Sequence, residues 1–250
     1  MSGKSARLHR PPIVEAVLDV DCDMPPALDL GTLEASARDL FRDLYPKFRT
    51  QFLQQHTIQA PVEGSPQLSV RRGLQAFQFL QDDERQLVQV RAAGFSFNRL
   101  APYTSLDDYL PEIERAWGAF VGLTSPLQIR EVRLRYINRI LLPLAKGQVD
   151  LDKYLAIGPR LPEERRLTFV SFLHRHAAAE KSTGNRVNTT LASQPAENDR
   201  LPVILDIEAA ADGAIDPRDW PSLGAQIQAL RSLKNLVFQR TLTVRCLKLF

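Results

Sequence analysis

The chain is poor in the residues that build metal centres, redox sites and nucleophiles: its 250 residues include 2 cysteines, 4 histidines, 2 methionines and 2 tryptophans. Cys22 and Cys246 stand 224 positions apart without metal-ligand spacing, so they read as reduced thiols of a cytosolic compartment, a disulfide between them being the alternative. Nowhere do 18 consecutive apolar residues occur, and the basic opening MSGKSARLHRPP lacks the apolar stretch of a signal peptide. A cytoplasmic protein without a membrane segment is expected. GxSxG, HExxH, CxxC, Walker and GxGxxG patterns are all missing, so no cofactor or metal is expected and the reading leans away from an enzyme. A charge excess of one sign is also lacking. Against 29 acidic residues stand 32 basic ones, too even a balance to require nucleic acid.

What the chain does have is arginine, 25 of its 32 basic residues, a side chain suited to planar bidentate pairing with carboxylates. Three arginines fall in EVRLRYINRILLP. Read as a strand, this stretch puts Val132, Leu134, Tyr136 and Ile140 on one side and Glu131, Arg133, Arg135 and Arg139 on the other. IVEAVLDVDCD alternates in the same way, with Ala16, Leu18, Val20 and Cys22 opposed to Glu15, Asp19 and Asp21. LPVILDIEAA contributes Asp206 and Glu208 from a third alternating run. If these strands share a sheet, the carboxylates stand about 5 Å from the guanidinium groups and the charges set register more than they stabilise.

Three readings of this charged face follow. It is internally paired or solvated, it recognises an acidic protein or ligand, or it binds nucleic acid. The third is weakest, because single-strand readers interleave basic residues with exposed rings, whereas Tyr136 and the alternating Phe77, Phe79, Phe95 and Phe97 read as core. The other candidate sites are thin. His174 and His176 share a strand side roughly 6.6 Å apart, the spacing of a two-histidine metal site if carboxylates converge, but one packed and one edge histidine is the plainer expectation. Asp19, Asp21 and Asp23 line one strand side and would need further ligands to hold magnesium.

Around these strands, LGTLEASARDLFRDLYPKF reads as a helix ending near Pro46, and 52–100 as an antiparallel meander with turns at EGSP, RRG, DDE and AAG. TSLDDYLPEIERAWGAFVG is a second helix behind a Ser105/Asp108 cap, its start displaced by Pro111, and the run from Leu223 to Val237 is a third. VDLDKYLAI is a short helical piece, RLTFVSFLHRHAAAE and NRVNTTLAS are strands about a KSTGN turn, and TLTVRCLKLF closes the chain as a strand. The expected fold is α+β, mostly antiparallel sheet backed by about three main helices, with two similar halves as an option. A basic segment, 1–12, precedes a single domain, 13–250, with a sub-boundary near 146–162. The dipeptide Asn-Arg recurs at Asn98, Asn138 and Asn185 and reads as chance.

In PPIVEAVLDV, GFSFNRL, RLRYINRI and ILDIE, in that order, the chain resembles a sporadically distributed family of uncharacterised prokaryotic proteins of about this length. The resemblance brings no catalytic residues. Patchy distribution implies horizontally exchanged accessory loci, linked to defence or mobile elements. The expectation is a non-catalytic interaction or regulatory component whose protein partner is encoded by a neighbouring gene. A nucleic-acid-binding accessory factor, or an enzyme joining first-strand carboxylates to His174 or His176, are the alternatives.

Overall fold

A computed structural model describes residues 9–59, 67–162 and 166–250, with the backbone alone at 54–59 and 67–72. The expected EGSP turn and most of the basic leader lie outside the described residues. Among the described residues nine strands form one sheet: β1 Ile13–Asp23, β2 Lys47–Gln59, β3 Gln67–Leu80, β4 Gln86–Arg91, β5 Gly94–Leu100, β6 Gln128–Pro143, β7 Leu173–Ala179, β8 Arg186–Ser193 and β9 Arg200–Ile215. Their order is β2-β3-β4-β5-β1-β6-β9-β8-β7, and every neighbouring pair is antiparallel. Helices α1 (Glu34–Phe41), α2 (Leu106–Thr124) and α3 (Trp220–Thr241) cover one face, and a final turn α4 (Val244–Leu247) follows. The fold is α+β, as the alternation of apolar faces requires.

The order contains a repeated plan. β1 leaves the centre through a crossover carrying α1, and the meander β2-β3-β4-β5 returns to pair with β1 before α2. β6 leaves through 144–172, and the meander β7-β8-β9 returns to pair with β6 before α3. The halves meet where β1 pairs with β6, Val17 opposite Arg135 and Leu18 opposite Leu134. The Asn-Arg dipeptides take no part in this symmetry. Asn98 faces away from the helices on β5, whereas Asn138 lies buried on the helix-covered side of β6, a non-equivalent strand. The motifs PPIVEAVLDV, GFSFNRL, RLRYINRI and ILDIE are the four central strands, β1, β5, β6 and β9.

The core lies between sheet and helices. Phe41 of α1 stacks on Phe79 of β3 with centroids 4.9 Å apart, and Trp117 of α2 meets Phe95 of β5 edge-on at 5.7 Å. Leu223, Ile227 and Leu230 of α3 close over β6 and β9. Phe77, Phe79, Phe95 and Phe97 are all buried and so are core. Each such side chain contributes roughly 1.5–3 kcal/mol by leaving water.

Four local expectations are corrected. The final segment is not a strand: α3 runs to Thr241, and the Thr243 side chain accepts the Cys246 N–H at 3.2 Å, starting α4 and burying Cys246. That cap overrides the β-branched composition. RRG is not a turn, because β3 runs through it; Gly73 lies near a register shift between Gln51 and Phe52. Helix α2 starts at its Ser105 cap and carries Pro111 inside it. β7 begins only at Leu173, leaving Val170 98% exposed. In the 146–162 segment a 3-10 turn, Leu151–Lys153, packs Leu151, Tyr154 and Leu155 into the core, tied to the end of α3 by the Leu155–Leu242 bridge.

Candidate functional site

Because side chains alternate along a strand, the residues that do not face the helices form a second, polar face of the sheet. All eight residues read as a charged face lie on it: Glu15, Asp19 and Asp21 on β1, Arg133, Arg135 and Arg139 on β6, and Asp206 and Glu208 on β9. Among the described residues no helix covers this face. Asp21 lies at its centre, its carboxylate accepting from Arg91 Nη2 and Arg133 Nη1, each at 2.7 Å. Arg133 also binds Glu131, and Arg186 of β8 reaches Glu131 at 2.6 Å while gripping Asp212 at 2.6 and 2.9 Å. Arg135 holds Asp206 through two bonds of 2.9 and 2.6 Å, the bidentate geometry for which arginine is suited.

The rest of the face is tied differently from the simple row-against-row picture. Arg139 turns to the β8–β9 turn, donating to Gln194 at 3.2 Å and Glu197 at 2.6 Å. Ser96 donates to Asp19, and Asn188 to Glu208 at 3.2 Å. Glu15 accepts from Asn98 at 3.0 Å and ends an amide chain: Gln89 donates to Asn98 at 3.2 Å, and Gln78 donates to Gln89 at 3.2 Å and to Gln51 at 3.1 Å. This chain crosses β2, β3, β4, β5 and β1. Sequence reasoning missed Arg91, Arg186, Asp212 and the amides. Gln89, Arg91, Arg186 and Asn188 were available as polar positions of QLVQVR and RVNTT, but no single-strand pattern shows that these residues converge with Asp212 and the other amides.

The electrostatics follow from this geometry. Burial alone would raise the Asp21 carboxyl, but bonds and charge from Arg133 and Arg91 outweigh it and hold Asp21 below the usual carboxylate range. The Arg135 guanidinium is raised by its Asp206 bonds, and Arg186 by those to Asp212. Behind the face, burial pushes the Cys22 and Cys246 thiols up to about 12, so neither is a nucleophile at neutral pH.

Elsewhere chemistry is sparse. Asp19 and Asp21 of DVDCD are engaged by Ser96 and arginines, and no group of three or more metal-ligating side chains occurs among the described residues. A cleft of about 980 Å³ lies between the 144–172 crossover and the β8–β9 turn. Its described walls hold neither histidine nor cysteine, Arg160 is tied to Asp152 at 2.6 Å, and Ser193 accepts the Phe172 N–H at 2.9 Å. Under the helices, Lys234 of α3 is 8% exposed and its amine sits 3.7 Å from the centre of the Tyr136 ring. Burial, with Arg231 nearby, lowers that amine to about 7. His174 and His176 are both half-buried, rather than one packed and one at the edge, and their nitrogens are 3.3 Å apart.

No family model, curated protein or solved structure matches the chain. The functional reading therefore rests on the face itself.

Proposed function

We propose that this protein is a non-catalytic interaction component that presents the open sheet face to a protein partner with a donor-rich, basic surface. The observation that carries the reading is the commitment of the arginines. Arg91, Arg133, Arg135, Arg139 and Arg186 each hold a carboxylate of the same chain, while Glu15, Asp19 and Glu208 stand among them on the same face, bonded to Asn98, Ser96 and Asn188. A carboxylate offers about four acceptor positions, so Glu15, Asp19 and Glu208 keep acceptors free after their single bonds to Asn98, Ser96 and Asn188. An acceptor-rich face suits lysine, arginine and backbone N–H donors better than phosphates. The resemblance of the four central strands to a patchily distributed prokaryotic family supports a cytoplasmic role in an accessory locus, with the partner encoded nearby.

The test is binding of the neighbouring gene's product to the purified chain. Glu208→Lys and Asn188→Arg on the open face are expected to abolish the complex, and Glu114→Lys on the outer side of α2 to leave it intact. Equal loss from all three, or from none, removes the open face as the docking surface. Binding of nucleic acid that weakens steeply with salt would favour the accessory-factor alternative instead.

A further inference from the structure

The histidines of the edge strand β7 are not used by the proposed docking face, because His174 and His176 lie opposite Leu191 and Thr189, on the helix side of the sheet. Their ring nitrogens, Nε2 of His174 and Nδ1 of His176, stand 3.3 Å apart with ring centroids at 5.4 Å. That separation is at the long end for a hydrogen bond from nitrogen. It fits another purpose. Zinc–imidazole bonds are about 2.0–2.1 Å long, so two nitrogens at 3.3 Å subtend about 107° at a shared ion, close to the tetrahedral angle.

A second observation falls at the same place. The Thr189 side chain is fully buried directly across from His176, and its hydroxyl has no hydrogen-bond partner. An orphaned buried hydroxyl on the residue paired with His176 is what an outer-sphere hydrogen bond to a metal-bound water would use. Among the described residues no third histidine, cysteine or carboxylate completes the set. Among the described residues β7 is an edge strand, with no further strand beyond it.

We propose that His174 and His176 chelate one divalent first-row transition ion of the zinc, nickel or copper class, leaving its other positions to water or to an outside donor. Imidazole suits these ions and disfavours magnesium and calcium. The site differs from the open face both in position and in chemistry, and stands or falls independently of the docking reading.

The probe is the metal alone, added to tag-free full-length protein as Zn²⁺, Ni²⁺ or Co²⁺ and followed by calorimetry and by cobalt absorption. Saturable binding with an intensified tetrahedral cobalt band is expected, at one ion per chain, or one per two chains if a second copy supplies the outer ligands. His174→Gln and His176→Gln should each weaken binding beyond the roughly 10- to 100-fold typical of lost outer-shell partners, and Thr189→Val by about that amount. Circular dichroism of the metal-free variants should match wild type, since the histidines sit on an edge strand. No saturable binding to wild type, or binding that survives both glutamine variants, overturns the proposal.

Discussion

Replacing Asp21 by Asn tests the charge network at its densest point. The side chain is 14% exposed, and its two partners Arg91 and Arg133 are 19% and 24% exposed. Asparagine keeps the size and one acceptor oxygen but removes the charge that faces two guanidinium groups. Removing one member of a fully buried pair costs about 3–5 kcal/mol. The cost here is smaller, because Arg133 keeps Glu131, and Arg91 keeps Asp19 at 3.8 Å and the Phe95 carbonyl at 3.0 Å. A loss of about 2 kcal/mol is therefore expected at pH 7, read as a lower urea midpoint at unchanged slope. The pH dependence identifies the cause. Asp21 is held below its ordinary value in the folded chain, so its contribution is complete above about pH 4 and fades as pH falls through the folded value. The difference between wild type and D21N should be flat from pH 6 to 8 and shrink in acid. A loss under about 0.5 kcal/mol, the level of an exposed pair, or one that stays constant into acid, would refute the network as drawn.

Two further perturbations probe the other side of the sheet. Lys234 titrates near 7 in the fold against about 10.5 unfolded, so stability should rise with pH across that interval, the wild-type chain carrying a cost on the order of 4 kcal/mol at pH 7. Lys234→Met should remove this slope in denaturant titrations and gain about 2 kcal/mol at pH 7 after losing the contact with Tyr136. Gly94 closes the β4–β5 hairpin at φ +147°, and an added Cβ would stand 2.0 Å from the Val20 carbonyl oxygen. Gly94→Ala should cost about 3 kcal/mol or more, seen as a fall in Tm.

The fold was legible wherever a strand had one dry face. In β1 and β6 every second residue is buried, and that alternation alone separates Ala16, Leu18 and Val20 from Glu15, Asp19 and Asp21. Legibility failed where a local cap competed with propensity, as at Thr243, and where a glycine within a strand resembled a turn, as at Gly73. The site was half legible. Asp21 with Arg133 and Arg135 with Asp206 pair across neighbouring strands, a relation that complementary charge rows suggest. Arg139 reaching Glu197, and Arg186 bridging Glu131 and Asp212, depend on turn geometry and on a strand order that no local pattern encodes.

The central claim is that the arginine row is satisfied by the chain's own acids. Salt-titrated binding of single-stranded DNA to wild type and to a D21N/D206N double variant tests it most directly. Wild type should show no binding even at low salt, while freeing Arg135 and leaving Arg133 with Glu131 alone should create weak binding that salt abolishes. Tight, salt-steep binding by wild type that is lost on replacing Arg133, Arg135 and Arg139 with alanine would contradict it.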